Sequence, residues 1–253
     1  MRYGNNTVFQ RSSELYGENS ASIKGVAIKS IIMLGVAILT SVLCMGLINT
    51  FSKISGGVII FGYLFSPILT LILSFIMSFN PTAAKTLAIP YSILEGISIG
   101  TIAGLLTALL GEIGGVIVGL AFVITLSFFL GAAVLYATGL VKVGFGFRRF
   151  LSIALFGTVI SSLIIAILGI FNPTVYFVFY GYGALSLVIS IVYVLIAAGY
   201  SLITLDNAKR IVDAGLDAEY EWYAAFGIIL NVIWLFYEVL RLIIILFARS
   251  DRN

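Results

Sequence analysis

The stretch from Gly115 to Ala137 reads GVIVGLAFVITLSFFLGAAVLYA and holds no charged residue. A helix needs about 20 mostly apolar residues to cross the hydrocarbon core of a bilayer. A barrel strand needs about half that length and alternates apolar with polar positions; no such alternation is present here. Hydrocarbon offers no hydrogen-bond partner to the backbone, so only helices and closed barrels cross it. This stretch therefore reads as a membrane-spanning α-helix.

Working outward, six further apolar runs share its character. They run from Lys29 to Ile48, Val58 to Phe79, Leu87 to Leu110, Phe150 to Ile170, Val175 to Leu205 and Trp222 to Phe247. Asn49 to Lys53, Asn80-Pro81, Gly111-Glu112, the basic segment Lys142 to Arg149, Asn172-Pro173 and a charged loop from Asp206 to Glu221 separate them. The sequence thus predicts an all-α membrane protein, a bundle of seven transmembrane helices. Residues 24–253 form that domain. Residues 1–23 are polar, lack the apolar core of a signal peptide, and are expected to form a cytoplasmic tail.

Composition agrees. Of 253 residues, 61% are hydrophobic and 10% charged, where a soluble domain carries about 25% charged residues. Such a chain cannot cover itself with polar surface, so the lipid bilayer is its first partner. A net charge of +3 is too small and scattered for nucleic acid. His is absent and Cys44 is the only cysteine, which removes zinc sites, His-dependent catalytic triads and internal disulfides. No enzyme and no cofactor is expected. Without His, any response to pH has to come from carboxylates.

The basic residues set the orientation. One side of a seven-span chain receives Arg2, Arg11, Lys24, Lys29, Lys85, Lys142, Arg148, Arg149, Lys209 and Arg210; the other receives Lys53, Arg249 and Arg252. The positive-inside rule places the N-terminus in the cytoplasm and the C-terminus outside.

A charge within a span costs about 2.5–3.5 kcal/mol on insertion scales, so such residues are few and face the protein interior. Glu95 lies inside the third run, with Tyr91 and Ser98 on its face of the helix. It is a candidate for coordinating or titrating a cation, or else a structural hydrogen-bond acceptor. Beside it, Gly96, Gly100 and Gly104 form a ridge of small residues suited to close helix packing. Asp206 ends the sixth run, either as a solvated terminal charge or as part of a path. In the seventh run Asn231 and Glu238 share a face, and Glu238 and Arg241 are spaced to pair along the helix, as a structural bridge or as the lining of a polar path.

Several stretches in order resemble the Bax inhibitor-1 family, in particular its bacterial YccA-like branch. They are Asn80-Pro81, Pro90-Tyr91 with Leu94-Glu95-Gly96 and Gly100, Leu135-Tyr136-Ala137-Thr138-Gly139-Leu140, and Phe147-Arg148-Arg149. Asp206 follows, then Glu221-Trp222-Tyr223-Ala224-Ala225-Phe226-Gly227 and Trp234-Leu235-Phe236-Tyr237-Glu238-Val239-Leu240-Arg241. The resemblance implies a seven-helix fold with the last helix central, in a multi-pass protein of a bacterial cytoplasmic membrane. It also implies a pH-sensitive calcium leak gated by two aspartates, on the sixth and seventh helices, that share a proton. Asp206 matches the first; Asn231 stands at the second and cannot ionise. Asn231 is then expected to donate to Asp206, with Glu95 the candidate second carboxylate. The expected activity is cation passage, with Ca2+ as the ion. The alternative is a non-transporting regulator of other membrane proteins, in a stress response or in the modulation of a membrane protease.

Overall fold

The computed structural model describes residues 20–50 and 52–250. The first 19 residues, the larger part of the expected polar tail, lie outside the described residues. The described chain is helical without a strand, and seven of its helical segments are long and apolar enough to cross a membrane. The first is α1 (Ile23–Thr50). The second is interrupted: α2 (Ser52–Ile60), a π-helical turn (Phe61–Phe65) and α3 (Ser66–Phe79) follow one another along one span. A 3-10 turn (Pro81–Ala83) leads into α4 (Ala84–Leu110), and α5 spans Glu112–Ala137. Gly111, at φ 64°, is the single residue that reverses the chain between α4 and α5; a side chain is strained in that left-handed conformation. The rest comprises α6 (Phe145–Phe171), the short α7 (Pro173–Tyr180), α8 (Ala184–Asp213) and α9 (Tyr220–Ser250).

The structure corrects two features of the sequence reading. The long sixth run is two helices, because extended backbone at Gly181 and Gly183 breaks it around Tyr182. The expected loop from Asp206 to Glu221 is shorter, since α8 continues through Asp213 and α9 begins at Tyr220. Hydropathy marks where a helix leaves hydrocarbon, whereas the helix itself runs on into the polar region where water can meet its backbone.

Helices in lipid gain little from apolar burial and associate through close packing of small residues. That principle is visible along α4. Its Gly96, Gly100 and Gly104 lie against α1, where a Cβ on Gly96 would overlap the Thr40 side chain and the Ala37 carbonyl. Ala84, Ala88 and Ala225 are fully buried in the layer that holds Tyr91, Phe226 and Ile229. The last helix is the hub: 56% of the apolar window of α9 is buried, against 11–39% for the other spans. It packs against α1, α4, α5 and α8. At the other extreme, α6 is the least buried span, 11% of its window, and its neighbours are α7 and α8.

Successive spans alternate in direction. The near face, where α1, α4, α6 and α9 begin, gathers Lys29, Lys85, Arg148, Asp206, Glu219 and Glu221. The far face holds α7 and the end of α9.

Candidate functional site

Polar groups gather at five places in the bundle, four of them on α9. At the near face the Glu221 carboxylate accepts from the Ser22 backbone N–H (2.7 Å) and hydroxyl (3.0 Å), and pairs with Lys29 at 2.5 Å. Gly25 makes room for it, since a Cβ there would overlap the carboxylate. Lys29 also donates to the Ala218 carbonyl and lies 5.4 Å from the centre of the Trp222 ring. Lys85 and Glu219 add an exposed pair at 2.7 Å.

Asp206 sits two turns before the end of α8, where three elements converge on its carboxylate. Tyr136 at the end of α5 donates to Oδ1 at 2.9 Å. Oδ2 pairs with Arg148 from the first turns of α6 and with Arg210 at 2.8 Å. Two guanidinium groups therefore surround one carboxylate.

Asn231, one layer deeper, is buried, and its Nδ2 donates to Ser201 Oγ of α8 at 2.7 Å. Its Oδ1 is buried without a hydrogen-bond partner. The expected bond from Asn231 to Asp206 is thus replaced: helical register puts Ser201, more than a turn from Asp206, opposite Asn231.

Toward the far face Glu238 and Arg241 pair at 3.5 Å along α9, both largely buried. The Arg241 guanidinium lies 4.5 Å from the centre of the Tyr180 ring and 5.6 Å from that of Tyr193, close enough for cation–π attraction. Those two rings are tied to α6 by hydrogen bonds from Tyr180 to Ser162 (2.7 Å) and between Tyr193 and Ser161 (3.0 Å).

Glu95 lies near mid-span. At about 1.5 Å per residue it is roughly 16 Å along α4 from Ala84 and roughly 22 Å from Leu110. It is 8% exposed. Tyr237 of α9 donates to Oε2 at 3.4 Å, and Tyr91 and Thr70 flank the carboxylate. No Lys or Arg among the described residues pairs with it. It lines a pocket of about 200 Å³ together with Gly62, Tyr63, Pro67, Thr70, Ser98, Ile102 and Tyr237. Asp206 does not line that pocket, so the two carboxylates occupy separate places.

The far wall of this pocket is the interrupted second span. The Ser66 N–H donates to the Phe61 carbonyl five residues back, in place of the Gly62 carbonyl four residues back. The next donor in line would be that of Pro67, which has no N–H. The Gly62 and Tyr63 carbonyls consequently lack the usual donor four residues on, and both residues line the pocket with Glu95. The close approach that brings this wall to α4 depends on Gly62, where a Cβ would overlap the Thr101 side chain. It is fastened by Ser66 Oγ, which donates to the Leu94 carbonyl at 2.6 Å.

Sequence reasoning overlooked this wall. A signal existed: Gly62 and Ser66-Pro67 inside a long apolar run are a Gly/Pro-interrupted hydrophobic segment, which in membrane proteins points to binding sites. Tyr136, Ser201 and Tyr237 were also overlooked as partners, because their roles come from contacts between helices.

The chain belongs to the Bax inhibitor 1 like family, whose model matches residues 4–248. No curated protein and no solved structure matches it.

Proposed function

We propose that this Bax inhibitor 1 like chain forms a cation-leak path across its membrane, closed in the present structure, with Glu95 as the carboxylate the ion meets at mid-depth. One observation carries the reading: Glu95 is a buried carboxylate, bordering a pocket, with no cationic side chain among the described residues beside it. Burying an ionised carboxylate without a partner costs several kcal/mol. The bundle satisfies this elsewhere, since Asp206, Glu221 and Glu238 each have an arginine or lysine partner. A mobile cation is the partner left open to Glu95. Family membership is in keeping with such a path, and calcium, the ion the resemblance implies, is the first to test.

The near face is assigned to the cytoplasm of a bacterial inner membrane, because Lys29, Lys85, Lys142, Arg148, Arg149, Lys209 and Arg210 gather there. The closed state is attributed to the ion pairs at that face, where Arg148 and Arg210 occupy Asp206.

The test is dye-reported calcium influx into proteoliposomes, with wild type compared with Glu95→Gln. Wild type should exceed protein-free liposomes, and the variant should fall to their level. Equal influx in wild type and Glu95→Gln would refute the role of Glu95. A second reading, a non-transporting regulator of other membrane proteins, is favoured by the exposed apolar face of α6 and would gain from an absence of flux for every cation tried.

A further inference from the structure

We infer that the Glu95 pocket is a binding site for one monovalent alkali-metal cation, held between the Glu95 carboxylate and the broken second span. The inference deepens the proposed leak path and rests on reading Glu95 as a cation ligand.

The oxygen atoms come first. The π turn and Pro67 together remove the i+4 donors of the Gly62 and Tyr63 carbonyls, and both residues line the pocket with Glu95. Irregular backbone at membrane depth persists only where it is buried in protein or lines a polar cavity. Unwound carbonyls in such segments coordinate alkali cations in membrane transporters. The hydroxyls around the pocket are oriented for the same work. Thr70 Oγ1 donates its proton to the Pro67 carbonyl (3.0 Å), Ser98 Oγ to the Leu94 carbonyl (3.2 Å), and Tyr237 Oη to Glu95 itself. With its proton engaged, each oxygen offers the pocket only lone pairs. Carboxylate, carbonyls and hydroxyls of this kind are hard oxygen ligands.

The charge count then selects the ion. Glu95 contributes one negative charge, and among the described residues no basic or second acidic side chain lines the pocket. Among the described residues no group of three potential metal-ligating side chains exists. A monovalent cation neutralises Glu95. A divalent one would leave a net positive charge in a low-dielectric site, which is unfavourable, so calcium would meet Glu95 in transit without resting there, as conduction requires of an ion that passes. Protein sites for Ca2+ supply several carboxylates among six to eight oxygens, and this pocket supplies one. Its volume of about 200 Å³ admits an alkali ion with a few waters.

The experiment is thermal unfolding of the purified full chain in detergent, titrated with Na+, K+ or Ca2+ at ionic strength held constant with choline chloride. The expected result is saturable stabilisation by Na+ or K+ at lower concentration than by Ca2+, absent in Glu95→Gln and retained in Glu238→Gln. Pro67→Ala leaves the carboxylate in place but returns an N–H to the Tyr63 carbonyl. It should weaken alkali-ion affinity by about tenfold, the scale of one lost ligand, and it keeps the inference testable should Glu95→Gln fail to fold. Identical unfolding in choline and alkali salts would overturn the inference, as a simply protonated Glu95 predicts. So would stabilisation that survives in Glu95→Gln or is unchanged in Pro67→Ala, or tighter binding of Ca2+ than of either alkali ion. Stabilisation without flux in liposomes would refute the leak and leave the site; flux without stabilisation would do the reverse.

Discussion

Replacing Gly100 by alanine tests the contact that joins α1 to α4. A Cβ at Gly100 would meet the Ser41 carbonyl oxygen, the Ser41 Cα at 2.9 Å and the Cys44 Cβ at 2.8 Å. Two of these atoms are backbone and the third is fixed to it, so none can swing aside; the helices themselves have to part. Overpacking of this kind costs about 1–3 kcal/mol. Alanine also favours the helix over glycine by about 0.5–1 kcal/mol, and removes none of the strain. The net expectation for Gly100→Ala is destabilisation by about 1–2 kcal/mol. Gly104→Ala should cost less, because its Cβ meets the Ile48 side chain at 3.1 Å, which has some freedom to shift. Gly131, with nothing within 4 Å of its Cβ position, is the control, and Gly131→Ala should be neutral or stabilising. The assay is unfolding of the three variants in mixed detergent micelles, followed by circular dichroism or tryptophan fluorescence. Equal stability of Gly100→Ala and Gly131→Ala would show that the two backbones are not in contact at this ridge.

Other expectations follow from the ion pairs and from Asn231. Asp206→Asn removes the negative charge shared by Arg148 and Arg210 and should destabilise by about 2 kcal/mol, with faster hydrogen exchange in residues 138–147; unchanged exchange there would mean that the pairing does not hold α5 and α6 to α8. Glu238→Gln and Arg241→Leu should each cost about 3–5 kcal/mol by leaving a buried partner, and the double variant should cost less than their combined losses in a thermal-unfolding cycle. Additive losses would disprove the pairing. Asn231→Asp, which replaces the donor to Ser201 by an acceptor in a site without a cation, should lower stability by about 1–3 kcal/mol; a more stable variant would show that Asn231 lies elsewhere.

The span count was legible because length and hydropathy report directly on the bilayer, and the central place of the last helix was foreshadowed by Asn231, Glu238 and Arg241 in one apolar run. What hydropathy cannot report is the rotation and register of one helix against another. Asn231 and Asp206 look like partners when the family pattern is laid on the sequence. The register of α8 against α9 instead sets Ser201 opposite Asn231, and Asp206 turns to Arg148 and Tyr136 across long sequence separations. The break at Gly181-Tyr182-Gly183 was hidden because apolar residues flank it on both sides. The π turn was hidden for another reason. Gly62 and Pro67 mark an interruption, but whether Ser66 donates to Phe61 or to Gly62 is a shift of one residue in a single hydrogen bond, which hydropathy does not report.

The distribution of charge partners explains where this bundle is firm and where it is open. At the near face Glu221 fastens α9 to α1 through Lys29 and Ser22, and Asp206 fastens α8 to α5 and α6 through Tyr136 and Arg148. At the far face Arg241 holds Tyr180 and Tyr193, which are bonded in turn to α6. The first turn of α6 and its middle, at Ser161 and Ser162, are thus attached to the bundle through polar groups, while its apolar length is the least buried of the seven spans. In lipid, apolar side chains pack against acyl chains about as well as against each other, so polar ties and close backbone contacts carry helix association. Breaking the Asp206 cluster therefore frees the near end of α6 with little apolar packing to oppose it. The neutral Asn231–Ser201 bond between α8 and α9 carries no charge to lose. A change of ionic conditions acts on the first joint and leaves the second in place, so raised salt should speed hydrogen exchange in the first turns of the fifth span before it does so around Asn231 in the last.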